Sequence, residues 1–172
     1  MVRVRILSVA AVSAALVLVQ PGLATGEDDP STTVTFVVTS GALSLSVPVA
    51  ADLGSGAPGT TVSAPIGPCT VVDDRALLSA SWTVTASETD FANGASTIPA
   101  TDADYSVGSV TTTGVITVTP TNVTLSNSPQ TVLTGTEGVG DSTATWDPTV
   151  TVHVPPSAVS GLYTGTLTQS VA

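Results

Sequence analysis

The chain has 172 residues and a net charge of −10, with three lysine and arginine side chains against 13 acidic ones. Arg3 and Arg5 lie at the very start, so removal of that start would change the charge from −10 to −12 and leave Arg75 as its single Lys or Arg. Nucleic acid and anionic lipid surfaces are bound through such basic side chains, so the composition excludes both as direct ligands. The rest of the chain has the length of one domain.

The N-terminus predicts a secretory signal peptide over residues 1–26. Two arginines precede an apolar run at residues 6–19, and a helix-breaking Gln-Pro-Gly segment and small residues follow. The run has about fourteen residues, fewer than a membrane-spanning helix needs. We expect export, an acidic leader at residues 27–31 and no membrane insertion after cleavage. Since neither a lipid-bearing cysteine nor a sorting motif is recognisable, any retention at the cell surface is expected to be non-covalent.

Residues 32–172 predict a single all-β domain, because they are rich in Thr, Val, Ser, Ala and Gly and show no helical periodicity. Two strands at residues 33–39 and 42–49 flank a Ser-Gly pair and predict a hairpin. Residues 52–68 predict a loop with a short strand at 60–64. The remaining strands are expected at residues 68–73, 79–87, 104–110, 114–119, 122–125, 131–136, 144–154 and 161–171. About nine short strands at regular spacing indicate an antiparallel β-sandwich.

Alternation along the strands predicts which side chains face the core. One face of each of three strands is apolar, and these faces contain Trp82, Val84 and Ala86, then Trp146, Val150 and Val152, then Tyr163, Leu167 and Val171. His153 is expected to point outward. Gln169 falls on an apolar face, and we expect the strand to be leaving the core at that point.

Two tracts resemble motifs of a known family. Val71-Val72-Asp73-Asp74-Arg75, followed by Ser81-Trp82-Thr83-Val84, is similar to the proximal signature of the WxL-domain surface proteins of Gram-positive bacteria. Tyr163-Thr164-Gly165-Thr166-Leu167-Thr168 resembles the distal motif of the same family. Further segments around Ile98 and Trp146 resemble actinobacterial members, so the resemblance covers residues 32–172.

The resemblance implies a β-sandwich that attaches non-covalently to peptidoglycan or docks onto another surface protein. Carried over residue by residue, it implies binding roles for the motif residues Trp82, Val84, Tyr163, Thr166 and Leu167. The Asp73 and Arg75 pair is expected to form a structural corner, since the single arginine of the domain will find a carboxylate. Val84 replaces the leucine of the motif, and Gln169 stands where many members have a second tryptophan.

No nucleophile, metal-cluster or phosphate-loop motif is recognisable, so we expect no enzyme activity, no cofactor and no metal. Asp102 and Asp104 alternate in a turn, but two carboxylates are too few for a calcium site. Cys69, the sole cysteine, is expected to be a small buried apolar residue. The leading hypothesis is a secreted module bound to a cell-wall polymer. A structural or adhesion subunit that docks onto another surface protein, and a glycan-cleaving enzyme, remain as alternatives.

Overall fold

The computed structural model describes residues 32–94 and 96–172. The predicted signal peptide at 1–26 and the acidic leader at 27–31 lie outside the described residues. Val37–Ala172 forms one compact unit. All the sheets described below belong to this unit.

The fold is an all-β antiparallel sandwich, as the alternation and composition predict. The described residues contain eleven β-strands and one 3₁₀ turn, Ala100–Asp102. The strands are β1 (Leu43–Ser46), β2 (Thr61–Pro65), β3 (Cys69–Glu88), β4 (Phe91–Ala92), β5 (Thr97–Ile98), β6 (Ala103–Ser106), β7 (Val110–Pro120), β8 (Val123–Thr124), β9 (Gln130–Trp146), β10 (Thr149–His153) and β11 (Leu167–Val171).

Two sheets supply the layers of the sandwich. The larger sheet has the order β1-β3-β9-β7, and the smaller has the order β2-β10-β6-β8. Strand β3 is 20 residues long, so its free edge holds two short strands. β1 pairs with the first part of β3 and β11 with the last part. A two-stranded ribbon of β4 and β5 completes the fold.

The core lies between the two sheets and is built mainly from small and branched apolar side chains. The residues predicted to face inward in the middle of the chain are buried, with Trp82 at 3% exposure and Val84 and Ala86 at 0%. Trp146, Val150 and Val152 are likewise buried. Cys69 is fully buried, and burial raises the pKa of its thiol. The thiol therefore behaves as a packing group, as predicted.

A polar relay crosses this core and corrects the expectation for Gln169. The Trp146 indole N–H donates to the Tyr105 hydroxyl (3.0 Å), which donates to the Gln169 side-chain oxygen (2.9 Å). The Gln169 amide also donates to the Cys69 sulfur (3.6 Å). β11 is thus still paired and inward-facing at Gln169, because the amide satisfies a phenol that would otherwise be buried without an acceptor.

Several details of the predicted strands are wrong. The strand predicted at 144–154 is divided between the end of β9 and β10, and the strand predicted at 161–171 begins only at Leu167. Residues 33–39 form no strand, so the hairpin with residues 42–49 does not exist; β1 pairs with β3 instead. The strands predicted at 68–73 and 79–87 are one strand, which accommodates its irregular middle by register shifts against β9 and a positive φ of 53° at Ala76. β9, with 17 residues, is also far longer than predicted.

Candidate functional site

The two tracts that carry the family resemblance lie on neighbouring strands. β11 runs antiparallel to the end of β3, with Leu167 opposite Glu88 and Val171 opposite Val84. Tyr163 and Thr166 lie in the segment that leads into β11, and the backbone of Thr166 is tied to the Thr89 hydroxyl (2.8 Å). The structure therefore brings the C-terminal tract against the proximal one.

Trp82 and Val84 are placed in the core and not on a binding surface. The Trp82 ring lies over Gly135 of β9, where an added Cβ would come within 2.6 Å of ring atom Cζ2. Glycine at this position is what allows the indole to pack against the neighbouring strand. With 3% of its surface exposed, Trp82 offers no face on which a sugar could stack.

Asp73 and Arg75 form a two-pronged ion pair within β3. Arg75 Nε and one terminal nitrogen donate to the two carboxylate oxygens, each at 2.8 Å. The same arginine donates to the carbonyl of Ser81 (2.9 Å), so it bridges the irregular middle of the strand. The hydrogen bonds from Arg75 lower the pKa of Asp73, whose side chain is fully buried. The geometry fixes the backbone and leaves no free charge for a ligand.

A cavity of about 880 Å³ opens at the edge of the sandwich where β2, β10 and β11 approach one another. The segments between β1 and β2 and between β10 and β11 form its rim. Tyr163, Thr166 and Leu167 line it, so the distal tract borders an open space while the proximal tract does not. The Tyr163 hydroxyl donates to the Val159 carbonyl (3.1 Å), which holds the ring in the rim.

Glu88 is a cavity residue that the sequence-based interpretation missed. It is 4% exposed, and its Oε1 has no hydrogen-bond partner among the described residues. Burial raises the pKa of this carboxyl group to about 7, since no positive charge compensates for the lost water. A signal was present in the sequence, because Glu88 continues the inward parity of Trp82, Val84 and Ala86.

A second surface lies on the outer side of the larger sheet. Thr70, Thr145 and Thr111 form one cross-strand row over β3, β9 and β7, and Thr83, Thr134 and Thr119 form another. The Thr70 and Thr145 hydroxyls lie 3.1 Å apart, and the pair Thr113 and Thr143 lie 2.6 Å apart. We call this surface the threonine face; its members are Thr70, Thr83, Thr111, Thr113, Thr119, Thr134, Thr143 and Thr145.

The threonine face is suited to hydrogen bonding without charge. All eight side chains are partly or fully exposed, and each carries a hydroxyl that both donates and accepts. Adjacent strands in a sheet are about 4.8 Å apart, so each row presents hydroxyls at a regular spacing. The sequence shows many threonines but not their alignment, because the rows depend on the register of three strands.

Exposed apolar side chains form a third surface where β3, β9 and β7 lose their regular register. Leu78 is 84% exposed, and Leu77, Val115 and Val139 are also exposed. Leu77 lies opposite Gly140, and Val115 lies opposite Val139, so three neighbouring strands expose apolar side chains at the same level of the sheet; we call this group the apolar ridge. The positive φ of Gly114 and Gly140 helps these strands to bulge at this point.

His153 points outward from β10, as predicted. Its Nε2 lies 3.0 Å from Asp104 Oδ2, and the Thr124 hydroxyl donates to Oδ1 of the same carboxylate (2.8 Å). The bonds from His153 and then Thr124 lower the pKa of Asp104. Asp104 is therefore engaged in a surface cross-strand network.

Over the described residues, no helix has the length and apolar character needed to cross a membrane. Within the same residues, no three His, Cys, Asp or Glu side chains are grouped as metal ligands would be. Comparison of the chain with protein-family models, with curated proteins and with solved structures gives no match.

Proposed function

We propose that this protein is a secreted, non-catalytic surface module that is retained non-covalently at the cell wall, with peptidoglycan as its ligand. The observation that carries the proposal is the threonine face, which offers aligned hydroxyl groups on a rigid sheet. A domain with one arginine and many acids gains no charge attraction from an anionic wall, so its contacts must come from hydrogen bonds and apolar surface. The predicted signal peptide and the family resemblance support the same location.

The binding roles expected for the motif residues are reassigned in this proposal. Trp82 and Val84 stabilise the sheet that displays the threonines, and Leu167 packs against the core from β11. Tyr163 and Thr166 lie at the rim of the cavity and are not part of the threonine face. The motif residues thus support the wall-binding surface more than they form it.

The test is co-sedimentation of the purified protein with purified peptidoglycan sacculi. Replacing Thr70, Thr111 and Thr145 together by valine removes one row of hydroxyls while keeping the β-branched shape. We expect the triple variant to stay folded and to pellet less than the wild type. The matched control replaces Thr61, Thr149 and Thr151 together by valine; these residues lie on the outer side of the smaller sheet. The control variant should pellet like the wild type.

Equal pelleting of the wild type and an unrelated acidic protein would refute wall retention. Equal loss in both triple variants would refute the threonine face as the binding surface. Repeating the assay with EDTA separates two mechanisms. Retention through hydrogen bonds is insensitive to chelation, whereas bridging of two acidic partners by divalent cations is not.

The apolar ridge favours a second candidate function, a structural or adhesion subunit that docks onto another surface protein. Leu77, Leu78, Val115 and Val139 expose apolar surface on adjacent strands, and such clusters are typical of protein contacts. Cross-linking on intact cells should then trap one dominant partner. Replacing Leu78 by aspartate should abolish that adduct, and an unchanged adduct would refute docking through the ridge.

A further inference from the structure

The cavity at the open edge of the sandwich has the features of a ligand site. Its volume is about 880 Å³, within the range of pockets that hold small organic molecules. Polar groups, largely from the rim segments, supply part of its lining, and apolar side chains from both sheets and from the β4–β5 ribbon supply the rest, including Val62, Phe91, Ile98, Val150, Val152 and Leu167. These walls favour a ligand with an apolar body.

One polar group in the lining of the cavity lacks a hydrogen-bond partner. Glu88 ends β3 at the cavity, and its Oε1 is buried with no hydrogen bond from any described residue. Gly165 of the distal tract lies directly beside this oxygen, and a side chain at that position would collide with the carboxyl group. A buried acceptor without a donor is costly, so a ligand that supplies the donor gains the free energy of that missing bond.

The charges around the cavity select the kind of donor. The residues that line it include no Lys, Arg or His, and the other carboxylate among them is Asp52 on the rim. The remaining ionisable group is the Tyr163 hydroxyl, which is bonded to Val159. An anionic head group would meet two acids and no cation, whereas an ammonium group would meet a complementary carboxyl group.

We propose that this cavity binds an apolar primary amine, with the hydrocarbon part against the valine and phenylalanine walls and the amine donating to the Glu88 carboxyl group. The site goes beyond wall retention, because the threonine face shares no residue with it. An amine is preferred over an alcohol of the same length because it places a positive charge next to the acid. The ionised carboxylate, unfavourable in the empty cavity, is compensated by that charge.

The test is isothermal titration calorimetry of the purified protein at pH 7 with dodecylamine, dodecanol and dodecanoate, each kept below its micelle concentration or its solubility limit. We expect dodecylamine to bind at least about tenfold more tightly than either of the other two, as a hydrogen bond to a charged group provides. Glu88→Gln should weaken the binding of dodecylamine at least about tenfold. Failure of dodecylamine to bind, or equal affinities for the three probes, would overturn the proposal.

Two further variants exclude trivial explanations. Asp141→Asn removes an exposed acid that does not line the cavity, and it should leave the amine affinity unchanged; an equal loss there would show general attraction to an acidic surface. Ala158→Trp fills the cavity from the segment after β10 without altering a strand, and it should abolish binding. Retained binding in Ala158→Trp would place the ligand elsewhere and refute the site.

The same variants separate this inference from wall retention. Circular dichroism confirms that each variant is folded before it is titrated. Glu88→Gln is expected to co-sediment with peptidoglycan like the wild type, since the threonine face is intact. Loss of wall retention in Glu88→Gln would contradict the independence of the two sites, and amine binding without any wall retention would refute only the proposed function.

Discussion

The buried carboxyl group of Glu88 makes the stability of the fold depend on pH in a defined window. Its pKa is raised from the ordinary 4.5 to about 7 by burial, so the folded protein holds a proton that the unfolded chain releases. The contribution of Glu88 to the free energy of unfolding is therefore largest below pH 4.5, and this contribution falls as the pH rises from 4.5 to 7. Above pH 7 the loss is complete and stays constant.

The size of this effect follows from the change in pKa. A difference between 4.5 and about 7 corresponds to about 3 kcal/mol of unfolding free energy at 25 °C. Glu88→Gln keeps the shape of the side chain and cannot ionise. The fixed cost of burying the amide is the same at every pH, so the stability of the variant relative to the wild type should increase by about 3 kcal/mol between pH 4.5 and pH 8.

Urea unfolding followed by circular dichroism, at half-unit steps of pH, measures this difference directly. Other titrating groups, including Asp73 and Asp104, act in both proteins and cancel when the two curves are subtracted. A difference that is flat with pH would refute the reasoning, because it would mean that Glu88 is solvated or paired in the folded protein. A relative stability of the variant that falls as the pH rises would mean that the folded state favours the ionised carboxylate.

Three other substitutions test the core. Trp82→Ala should lower the unfolding free energy by about 3–5 kcal/mol, as measured by urea unfolding, because the indole fills the space above β9; a stable variant that has lost wall retention would instead indicate a ligand contact. Gln169→Leu should cost about 1–3 kcal/mol in the same assay, because the Tyr105 hydroxyl loses its acceptor; an unchanged midpoint would contradict the relay. Arg75→Met should cost about 3–5 kcal/mol at pH 7, because Asp73 remains buried and charged. That last cost should shrink as the pH falls towards the lowered pKa of Asp73, because burial without Arg75 makes the variant take up its proton at a higher pH than the wild type does; equal losses at pH 7 and pH 3 would contradict the ion pair.

The sequence was sufficient to predict the fold class and the buried face of its clearest strands. Period-two alternation identifies Trp82, Val84 and Ala86 as a set whatever strand they pair with, because the pattern is local. Partner choice is not local, and here prediction failed. Residues 33–36 alternate like a strand, yet the edge of β3 pairs with β1 and β11, and residues 33–39 form no strand.

The candidate sites also differ in whether the local sequence pattern is enough to predict them. Glu88 could have been found from parity alone, because a carboxylate in the inward register of an apolar strand requires an explanation. The threonine face could not, because its rows arise from the register of β3, β9 and β7, and both pairings between these strands contain shifts. The irregular middle of β3 was predicted as a corner from its Asp-Asp-Arg sequence. The Asp73 and Arg75 ion pair instead spans a bulge that keeps both halves in one strand.

The burial of the motif residues decides which experiments can reveal function. The side chains of Trp82 and Val84 are buried on the core side of the sheet, so a substitution there changes folding as well as any binding. A loss of wall retention in such a variant could then come from unfolding or from a lost ligand contact. The outward-pointing hydroxyls of Thr111 and Thr145 and the carboxyl group of Glu88 at the cavity can be altered by substitutions that keep the shape of the side chain. If the family resemblance reflects a shared function, the motif preserves the framework, and the ligand is recognised by residues that the motif does not include.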